Sequence, residues 1–439
     1  METFLLKALQ LIASLSILVI IHELGHFIFA RLFKVRVEKF YLFFDPWFHL
    51  FKIKPKNSDT EYGIGWLPLG GYCKISGMID ESLDKEQMAL PPQPHEFRSK
   101  KAGPRLLIMT AGVIFNFILA LFIYSMVLFY WGDTYLPLKN VTYGMEYSDT
   151  FKEVGFTDGD ILLKADTTTL ERFNEIYISK VINAKTVTVL RDGREVVINI
   201  PGDMMQRVLH NKDGLFFYRY PMIISEAFSQ SAKEAGLKEN DLVISINGIK
   251  TETFSDVAQT LSDNKGRIVS LAFVRNGQQM AVDLPVDMDG KLGVYVLLPN
   301  RIYQTVTYKY NFFNSFPAGA QSGVNTLKGY VTNMKHVFTK EGAKNLGGFG
   351  TIGSLFPASW DWRKFWETTA FLSIILAFMN ILPIPALDGG HVMFLLYEVI
   401  TRRKPGDKFL EYAQITGMIL LISLLLFANG NDIFRFLFK

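Results

Sequence analysis

Four long apolar segments constrain the fold of this chain more than any other feature. A helix needs about 20 mostly apolar residues to cross the hydrocarbon core of a bilayer. Each segment is long enough, and the predicted spans are residues 1–33, 105–131, 365–400 and 409–429. The first resembles a signal peptide at its start, but no small-residue cleavage site follows and the apolar run continues to Phe33. We therefore predict a multi-pass α-helical membrane protein with four transmembrane helices.

Composition supports a membrane protein and excludes several other classes. The chain is 49% hydrophobic and only 20% charged, which disfavours a purely soluble protein. Its net charge of +4, from 46 basic and 42 acidic residues, is too small to indicate a nucleic-acid partner. Cys73 is the single cysteine, so neither a disulfide framework within the chain nor a multi-cysteine zinc site is possible.

The distribution of lysine and arginine predicts the orientation in the membrane. Basic residues concentrate in residues 34–104 and 401–408, and such loops usually stay in the cytoplasm. Both termini and the long segment from about 132 to 364 then lie on the opposite, extracytoplasmic side. The expected location is the cytoplasmic (inner) membrane, with the lipid bilayer as the surrounding partner.

The outer segment contains a duplication. Residues 152–162 recur as residues 233–243, and each copy continues through an alternating stretch to an Arg-Asp-Gly or Arg-Asn-Gly turn typical of a β-hairpin. The pattern resembles PDZ domains, here residues 132–213 and 214–299. Such domains bind peptide tails by adding a strand to a sheet edge. The alternative is a pair of small β-rich domains that act only as a spacer or lid.

A metal-binding motif lies inside the first predicted span. His22-Glu23-Leu24-Gly25-His26 has the H-E-x-x-H pattern. The spacing of four places both imidazoles on one face of a helix, as two metal ligands require, while Glu23 points aside and can act on water. Ionisable groups within a span are costly and usually functional, so we predict a metal site at membrane depth.

Catalytic zinc usually has three protein ligands, so a third must come from elsewhere in the chain. Asp388 is the candidate, because it follows a broken helical segment containing Pro383 and Pro385 in the third span. Irregular backbone at this depth is tolerated around a buried or wet cavity. His391 is the rival ligand.

These motifs together resemble the site-2 protease family of intramembrane metalloproteases, and the resemblance covers essentially the whole chain. The four-span arrangement with two outer PDZ-like copies is similar to bacterial members that cleave anti-sigma factors. The resemblance implies one Zn²⁺ per chain bound by His22, His26 and Asp388, with Glu23 as the general base and acid. It also implies a role for Asn380 in holding the substrate strand.

Further family elements match with departures. Residues 111–116 resemble a second-span motif that ends at Asn116, with Val113 in place of a proline, and residues 346–350 resemble an element in which Phe349 replaces a proline. Residues 62–72, within a β region of about 60–76, resemble a membrane re-entrant β-loop. Gly63, Gly65 and Asn116 are therefore further candidates for contacting substrate. The alternative for the loop is an interfacial hairpin unconnected to substrate, and residues 300–364 resemble an elbow and amphipathic helix.

The predicted function is that of a zinc intramembrane endopeptidase. Its expected substrates are single-span membrane proteins, resembling anti-sigma factors or remnant signal peptides, after a first cleavage of their outer domain. Two alternatives remain open at this point. One is a membrane-anchored metalloprotease that cuts soluble or peripheral proteins, and the other is a PDZ-bearing membrane scaffold without catalysis or zinc.

Overall fold

The computed structural model describes residues 2–78, 91–211, 214–337, 339 and 346–437. Parts of the predicted cytoplasmic loop (79–90), of the boundary between the PDZ-like copies (212–213) and of the elbow (338 and 340–345) lie outside these residues. The chain forms two compact units. One comprises Met1–Gly132 with Lys309–Lys439, and the other comprises Asp133–Tyr308.

The first unit is built mainly from helices. In chain order they are α1 (Glu2–Leu32), α2 (Ala102–Trp131), α9 (Phe312–Val337), α10 (Phe349–Ser354), α11 (Trp362–Ile381), α12 (Asp388–Thr401) and α13 (Asp407–Leu437). Among the described residues, three stretches are long and apolar enough to cross a membrane: Thr3–Leu32, Ala102–Trp131 and Lys408–Arg435. The predicted third span differs from these, because it divides into α11 and α12 where prolines prevent one continuous helix.

Glycines let the helices of this unit approach closely. A Cβ on Gly25 of α1 would lie 2.6 Å from the carbonyl oxygen of Ala111 in α2. A Cβ on Gly319 of α9 would lie 2.4 Å from the backbone nitrogen of Ser125, also in α2. Since real side chains do not tolerate such distances, helix α2 is held against both neighbours at backbone contact. It thereby becomes the central helix of the unit.

Two long strands, β1 (Val37–Ile53) and β2 (Glu61–Ile75), follow α1 and precede α2 in the chain. They form an antiparallel sheet. Strand β1 turns back on itself, with Phe43 and Trp47 in the left-handed region at φ 67° and 74°. Its first part pairs with residues 71–75 on one side and 61–64 on the other, while its second part pairs with residues 62–65. Residues 62–64 are therefore interior to the sheet, and residues 71–75 form one edge.

The second unit contains two four-stranded sheets of the same order. Their strands run β6-β5-β7-β8 and β12-β11-β13-β14. The first sheet comprises β5 (Ile161–Ala165), β6 (Thr168–Thr169), β7 (Thr186–Arg191) and β8 (Arg194–Asn199). The second comprises β11 (Leu242–Ile246), β12 (Ile249–Lys250), β13 (Ile268–Arg275) and β14 (Gln278–Pro285). Both predicted hairpins are confirmed, since β7 pairs with β8 and β13 with β14 across the Arg-Asp-Gly and Arg-Asn-Gly turns.

Short helices and strands complete the second unit. The helices are α3 (Asp149–Val154), α4 (Glu175–Asn183), α5 (Met204–Asn211), α6 (Gln230–Glu234), α7 (Phe254–Ser262) and α8 (Pro299–Ile302). The strands are β3 (Asp133–Tyr135), β4 (Met145–Tyr147), β9 (Phe216–Tyr218), β10 (Ile224–Ala227), β15 (Val294–Val296) and β16 (Val306–Tyr308).

The repeated sequence has the same structural role in each copy. Arg191 binds the buried Asp160 at 2.7 Å and the carbonyl of Gly155 at 2.8 Å. Arg275 repeats this with Asp241 at 2.6 Å and the carbonyl of Gly236 at 2.7 Å. In both cases the hydrogen bond to the aspartate raises the pKa of the arginine. The recurring aspartate and arginine thus form the same internal clamp twice.

The core of the first copy extends beyond its predicted boundary. Phe216 and Tyr220 pack in the first hydrophobic cluster, and so does Tyr303 from the far end of the unit. The second cluster begins at Met222. Part of this shift from the predicted boundary arises because β4 pairs with β9, which lies beyond that boundary. The cores therefore divide near residue 221, and the chain returns to the first core before leaving the unit.

Candidate metal centre

The two histidines of the H-E-x-x-H motif lie one turn apart on α1 and are almost completely buried. His22 is 8% exposed and His26 is 5% exposed. Their Nε2 atoms are 3.3 Å apart. Such burial is expensive for two imidazoles unless they hold a ligand or a charge, and both rings direct the same nitrogen to one point.

Asp388 supplies a carboxylate at that point from the far end of the chain. Its Oδ2 lies 3.1 Å from His22 Nε2 and 3.3 Å from His26 Nε2. The three ligand atoms fall within 4.8 Å of one another. Asp388 is the first residue of α12, so its charge also lies at the positive end of the helix dipole.

The backbone before Asp388 is tightly folded, as the prolines and glycines of the segment predict. A Cβ on Gly389 would lie 2.1 Å from the carbonyl oxygen of Leu382. Ala386 adopts a φ of 74°, and its N–H donates to Gln414 Oε1 of α13 at 3.2 Å. A left-handed alanine is unusual and persists only when its surroundings hold it. Gln414 is therefore part of what fixes the position of Asp388.

Helix α2 orients both imidazoles from behind. His26 Nδ1 lies 2.8 Å from the carbonyl oxygen of Ile108. Because a carbonyl oxygen can only accept, Nδ1 carries the proton, and Nε2 of the neutral ring has a lone pair for a metal. Asn116 is fully buried, and its Nδ2 lies 3.3 Å from His22 Nδ1. Its Oδ1 has no hydrogen-bond partner in the part of the chain that the structure describes. Rotating this amide by 180° would let Oδ1 accept the His22 Nδ1 proton, and His22 Nε2 would then also be a lone pair.

The donor set fits a tetrahedral zinc ion. Bonds of about 2.1 Å at tetrahedral angles separate ligand atoms by about 3.4 Å. The distances between the three ligand atoms, 3.1 Å, 3.3 Å and 3.3 Å, are close to this value. Within the described residues, Asp388 Oδ2 also has no hydrogen-bond donor with acceptable geometry. Two imidazoles and one carboxylate leave the fourth position open, as a catalytic zinc site requires.

The other predicted site residues occupy different positions. Asn380 Nδ2 lies 3.4 Å from His22 Nε2, at the rim of the centre. Glu23 is partly buried beside His22. Within the described parts of the chain, the only group of side chains arranged to hold a metal comprises His22, His26 and Asp388. His391 is not in this group and lines a separate cavity, which disfavours it as the rival ligand.

Gly63 lies inside the β-sheet, whereas Gly65 pairs with a strand on one side only. Gly63 pairs with Tyr41 and Lys52 on its two sides, and Gly65 pairs with His49. The backbone of Gly63 therefore faces neighbouring strands on both sides, which disfavours its pairing with an incoming peptide, whereas Gly65 has one paired side. The glycines are needed for another reason, since a Cβ on Gly65 would lie 2.1 Å from the carbonyl oxygen of Phe44.

Gly112 is a residue whose importance the sequence did not reveal. A Cβ at this position would lie 2.4 Å from His26 Nε2 and 2.8 Å from His22 Cε1. Only a glycine at this position lets α2 lie directly against the two imidazoles. The signal in the sequence is the position of Gly112 within the 111–116 motif. Asn116 and Val113 are the residues of that motif that the sequence analysis singles out.

Comparisons with known proteins agree with this geometry. A family model described as "Peptidase family M50" matches residues 10–424 of this chain. The chain is 28% identical to "Putative zinc metalloprotease Cj1068" of Campylobacter jejuni, over 98% of this chain and 94% of the relative. It is 26% identical to "Regulator of sigma-E protease RseP" of Escherichia coli, over 99% of this chain and 100% of the relative. It is 27% identical to "Metalloprotease MmpA" of Caulobacter vibrioides, over 99% of this chain and 96% of the relative.

The match covers nearly the entire chain, including α1 with its two histidines and α12 with Asp388. The apolar helices agree with a family of membrane proteins, and the buried His-His-Asp cluster agrees with relatives named zinc metalloproteases. The chain belongs to peptidase family M50, whose members are membrane-embedded zinc metalloproteases.

Proposed function

We propose that this protein is an intramembrane endopeptidase in which His22, His26 and Asp388 bind one zinc ion and Glu23 transfers protons. The observation that carries the proposal is the convergence of two imidazoles from α1 and a carboxylate from α12 at one buried point. Helix α1, which carries both histidines, is long and apolar enough to cross a membrane, which supports use of the site on peptide bonds within the membrane.

Each residue around the centre has a separate task in the proposed reaction. Zinc, when bound, acts as a Lewis acid and lowers the pKa of water. Glu23 takes a proton from the attacking water and returns it to the nitrogen of the departing amine. Ile108 and Asn116 hold the imidazoles in the tautomer that binds metal. Asn380 lies at the rim, where its amide can hold the substrate backbone.

The substrate must be presented as an extended strand, because a helix shields its own carbonyls. We place this strand on the edge formed by residues 71–75, since no described strand pairs with their outer side. This edge lies next to the catalytic helix, because a Cβ on Gly71 would be 2.6 Å from Val19 Cγ1 of α1. Val19 precedes His22 by one helical turn. The assignment places substrate pairing at residues 71–75 rather than at the doubly paired Gly63.

The expected substrates are single-span membrane proteins that have already lost their outer domain. The name of the Escherichia coli relative, a regulator of sigma-E, supports anti-sigma-like substrates. In this proposal α11 with α12 forms the third of four membrane crossings in chain order. Residues 34–104 and 401–408 face the cytoplasm. The unit Asp133–Tyr308 is a PDZ-like tandem on the opposite side of the inner membrane, whose grooves are available to peptide tails.

Zinc analysis and cleavage of a model transmembrane peptide, performed on the same detergent-purified sample, test the proposal. We expect about one zinc per chain, cleavage within the apolar segment of the peptide, and inhibition by chelators that zinc reverses. Casein serves as the soluble comparison. Cleavage of casein but not of the transmembrane peptide would favour a membrane-anchored protease acting outside the bilayer, and absence of zinc would favour a scaffold.

Replacing Gly112 by Ala should strongly reduce activity and zinc content. The added methyl group would overlap His26 Nε2, so the two helices must separate or the imidazoles must turn. A displacement of about 1 Å costs about 100-fold in rate, and we expect a loss of at least this size. Gly103→Ala is the matched control on the same helix, because no heavy atom lies within 4 Å of its added carbon. Equal activity of the two variants would contradict the close packing of α2 against the site.

The outer unit should restrict access to the site rather than take part in catalysis. Its ends are adjacent, because β3 pairs with β16 from Val306–Tyr135 to Tyr308–Asp133. A short linker can therefore join Gly132 to Lys309. We expect this deletion protein to cleave substrates that retain their outer domain, without a lower rate on trimmed substrates, because a steric barrier has been removed.

A control protein carries the same linker inserted after Gly132 with the outer unit intact, and it should still refuse untrimmed substrate. Cleavage is measured by gel shift on both substrates, and zinc content verifies the deletion protein. If the deletion protein binds zinc and cleaves trimmed but not untrimmed substrate, size exclusion is refuted. The PDZ-like copies would then be better understood as binding modules for a particular partner.

A further inference from the structure

A second cavity lies in the first unit, apart from the metal centre. Its volume is about 300 Å³, and α2, α12, α13 and the turn Phe97–Ser99 enclose it. Phe97, Phe394 and Leu410 contribute apolar walls. Three basic side chains, those of Arg98, Arg105 and Lys404, also line it. The cavity therefore combines hydrocarbon surface with positive charge.

Arg105 is the most deeply placed of these cations. It is 7% exposed, and one end of its guanidinium pairs with Glu398 at 2.5 Å. Its Nε is buried and has no acceptor in the described parts of the chain. A buried donor without an acceptor is destabilising, because the loss of its hydration is not compensated. Arg105 thus presents an unsatisfied donor of the kind that an anionic oxygen would satisfy.

Among the residues that the structure describes, the charges around the cavity sum to a positive value. The acidic partner of Arg98 is Glu96 at 2.6 Å, and that of Arg105 is Glu398. Lys404 donates to the backbone oxygen of Arg98 at 3.4 Å, so its charge is not neutralised by that contact. Two compensated guanidinium groups and one further ammonium therefore surround the same space. This arrangement suits a phosphate, since guanidinium and ammonium groups both bind its oxygens.

The location of the cavity indicates which phosphate compound it would bind. Arg105 lies in the first turn of α2, and Lys404 follows the end of α12. In the proposed topology both positions lie at the cytoplasmic headgroup layer. Apolar residues nearby on α12 and α13 are exposed, among them Ile400 at 79% and Phe409 at 59%. Basic pockets between transmembrane helices at this depth recognise anionic lipid headgroups.

We propose that this cavity binds the phosphate headgroup of an anionic phospholipid, with the acyl chains lying along the exposed apolar side of α12 and α13. Arg105 Nε and Lys404 Nζ donate to the phosphate oxygens. The lipid bridges three helices, one of which begins at Asp388. Gln414 also lines the cavity and accepts the hydrogen bond from Ala386, so the lipid lies next to the segment that positions Asp388.

Native mass spectrometry and thermal unfolding of the full-length, detergent-purified protein test the proposal. We expect phosphatidylglycerol to remain bound and to raise the unfolding temperature, whereas phosphatidylcholine should do neither. Lys404→Glu should weaken phosphatidylglycerol binding by about tenfold or more, because it reverses a charge at the headgroup. Arg402→Glu is the matched control, since it makes the same charge change two residues earlier in the same loop but outside the cavity lining.

A second variant tests the buried donor. Arg105→Gln with Glu398→Gln replaces the ion pair by two amides, leaves the net charge unchanged, and should also reduce lipid retention. Zinc content is measured in every variant, so that loss of lipid binding is distinguished from damage to the metal centre. Equal retention in Lys404→Glu and Arg402→Glu would overturn the proposal in favour of general attraction of anionic lipids. Equal stabilisation by inorganic phosphate alone would also overturn it, in favour of a site for free phosphate.

Discussion

Glu23→Gln is expected to abolish cleavage of a transmembrane substrate while zinc stays near one ion per chain. The substitution keeps the size of the side chain but removes its ability to accept a proton. General acid–base catalysis contributes about 10²- to 10⁴-fold, so the rate should fall by at least this range. The measurement combines single-turnover cleavage of a model transmembrane peptide with metal analysis of the same preparation.

A carboxylate elsewhere provides the control for Glu23. Glu367 lies on α11 and pairs with Arg363 and Lys364, so Glu367→Gln makes the same chemical change away from the metal centre. This variant should retain both zinc and activity. If instead Glu23→Gln loses its zinc, Glu23 belongs to the ligand set and its assignment as the proton-transferring group is wrong. Retained cleavage with retained zinc would remove Glu23 from the mechanism.

Asp388→Ala should remove both metal and activity. It deletes the one carboxylate among three ligand atoms and leaves two neutral imidazoles to hold a dication. Loss of a group that merely supports a ligand costs about 10- to 100-fold in affinity, and loss of a ligand should cost more than 100-fold. Titration of the purified variant with zinc under competing chelator measures the affinity directly.

His391→Ala is the matched variant on the same helix. His391 lies one turn beyond Asp388 but lines the second cavity. It should therefore keep zinc and cleave at close to the normal rate. The opposite pattern, with zinc lost from His391→Ala and kept in Asp388→Ala, would make His391 the third ligand. Loss of zinc in both would indicate that α12 as a whole is destabilised, and circular dichroism would reveal this.

The grouping of His22, His26 and Asp388 could be predicted because strong chemical constraints act on few residues. Ionisable side chains in apolar segments are rare, and a spacing of four on a helix fixes two of the three relative to each other. The breaks at Pro383 and Pro385 likewise indicated where a single span would divide. Each of these signals lies in a short stretch of sequence. A shared metal site then requires the stretches with the histidines and the aspartate to meet in the folded chain.

Features that depend on packing between distant segments were not accessible in this way. The return of β1 upon itself requires left-handed Phe43 and Trp47. Asp45-Pro46 between them favours a turn, but aromatic residues themselves do not indicate left-handed backbone. The return of β1 places Gly63, which the resemblance had suggested for substrate contact, between two stretches of β1. Tyr303 packs in the core of the first copy although it follows the second. Gly112 matters only because two imidazoles from another helix lie against it.

The ligands are far apart in the order of synthesis, although they are close in space. His26 and Asp388 are separated by most of the chain, and Gln414, which helps to hold the segment before Asp388, comes later still. At about 5–20 residues per second, the ribosome needs roughly 20–70 s between the second histidine and the aspartate. A nascent chain therefore enters the membrane with only two of the three ligands. In the proposed mechanism the protease is competent only after α12, which carries Asp388, has been synthesised.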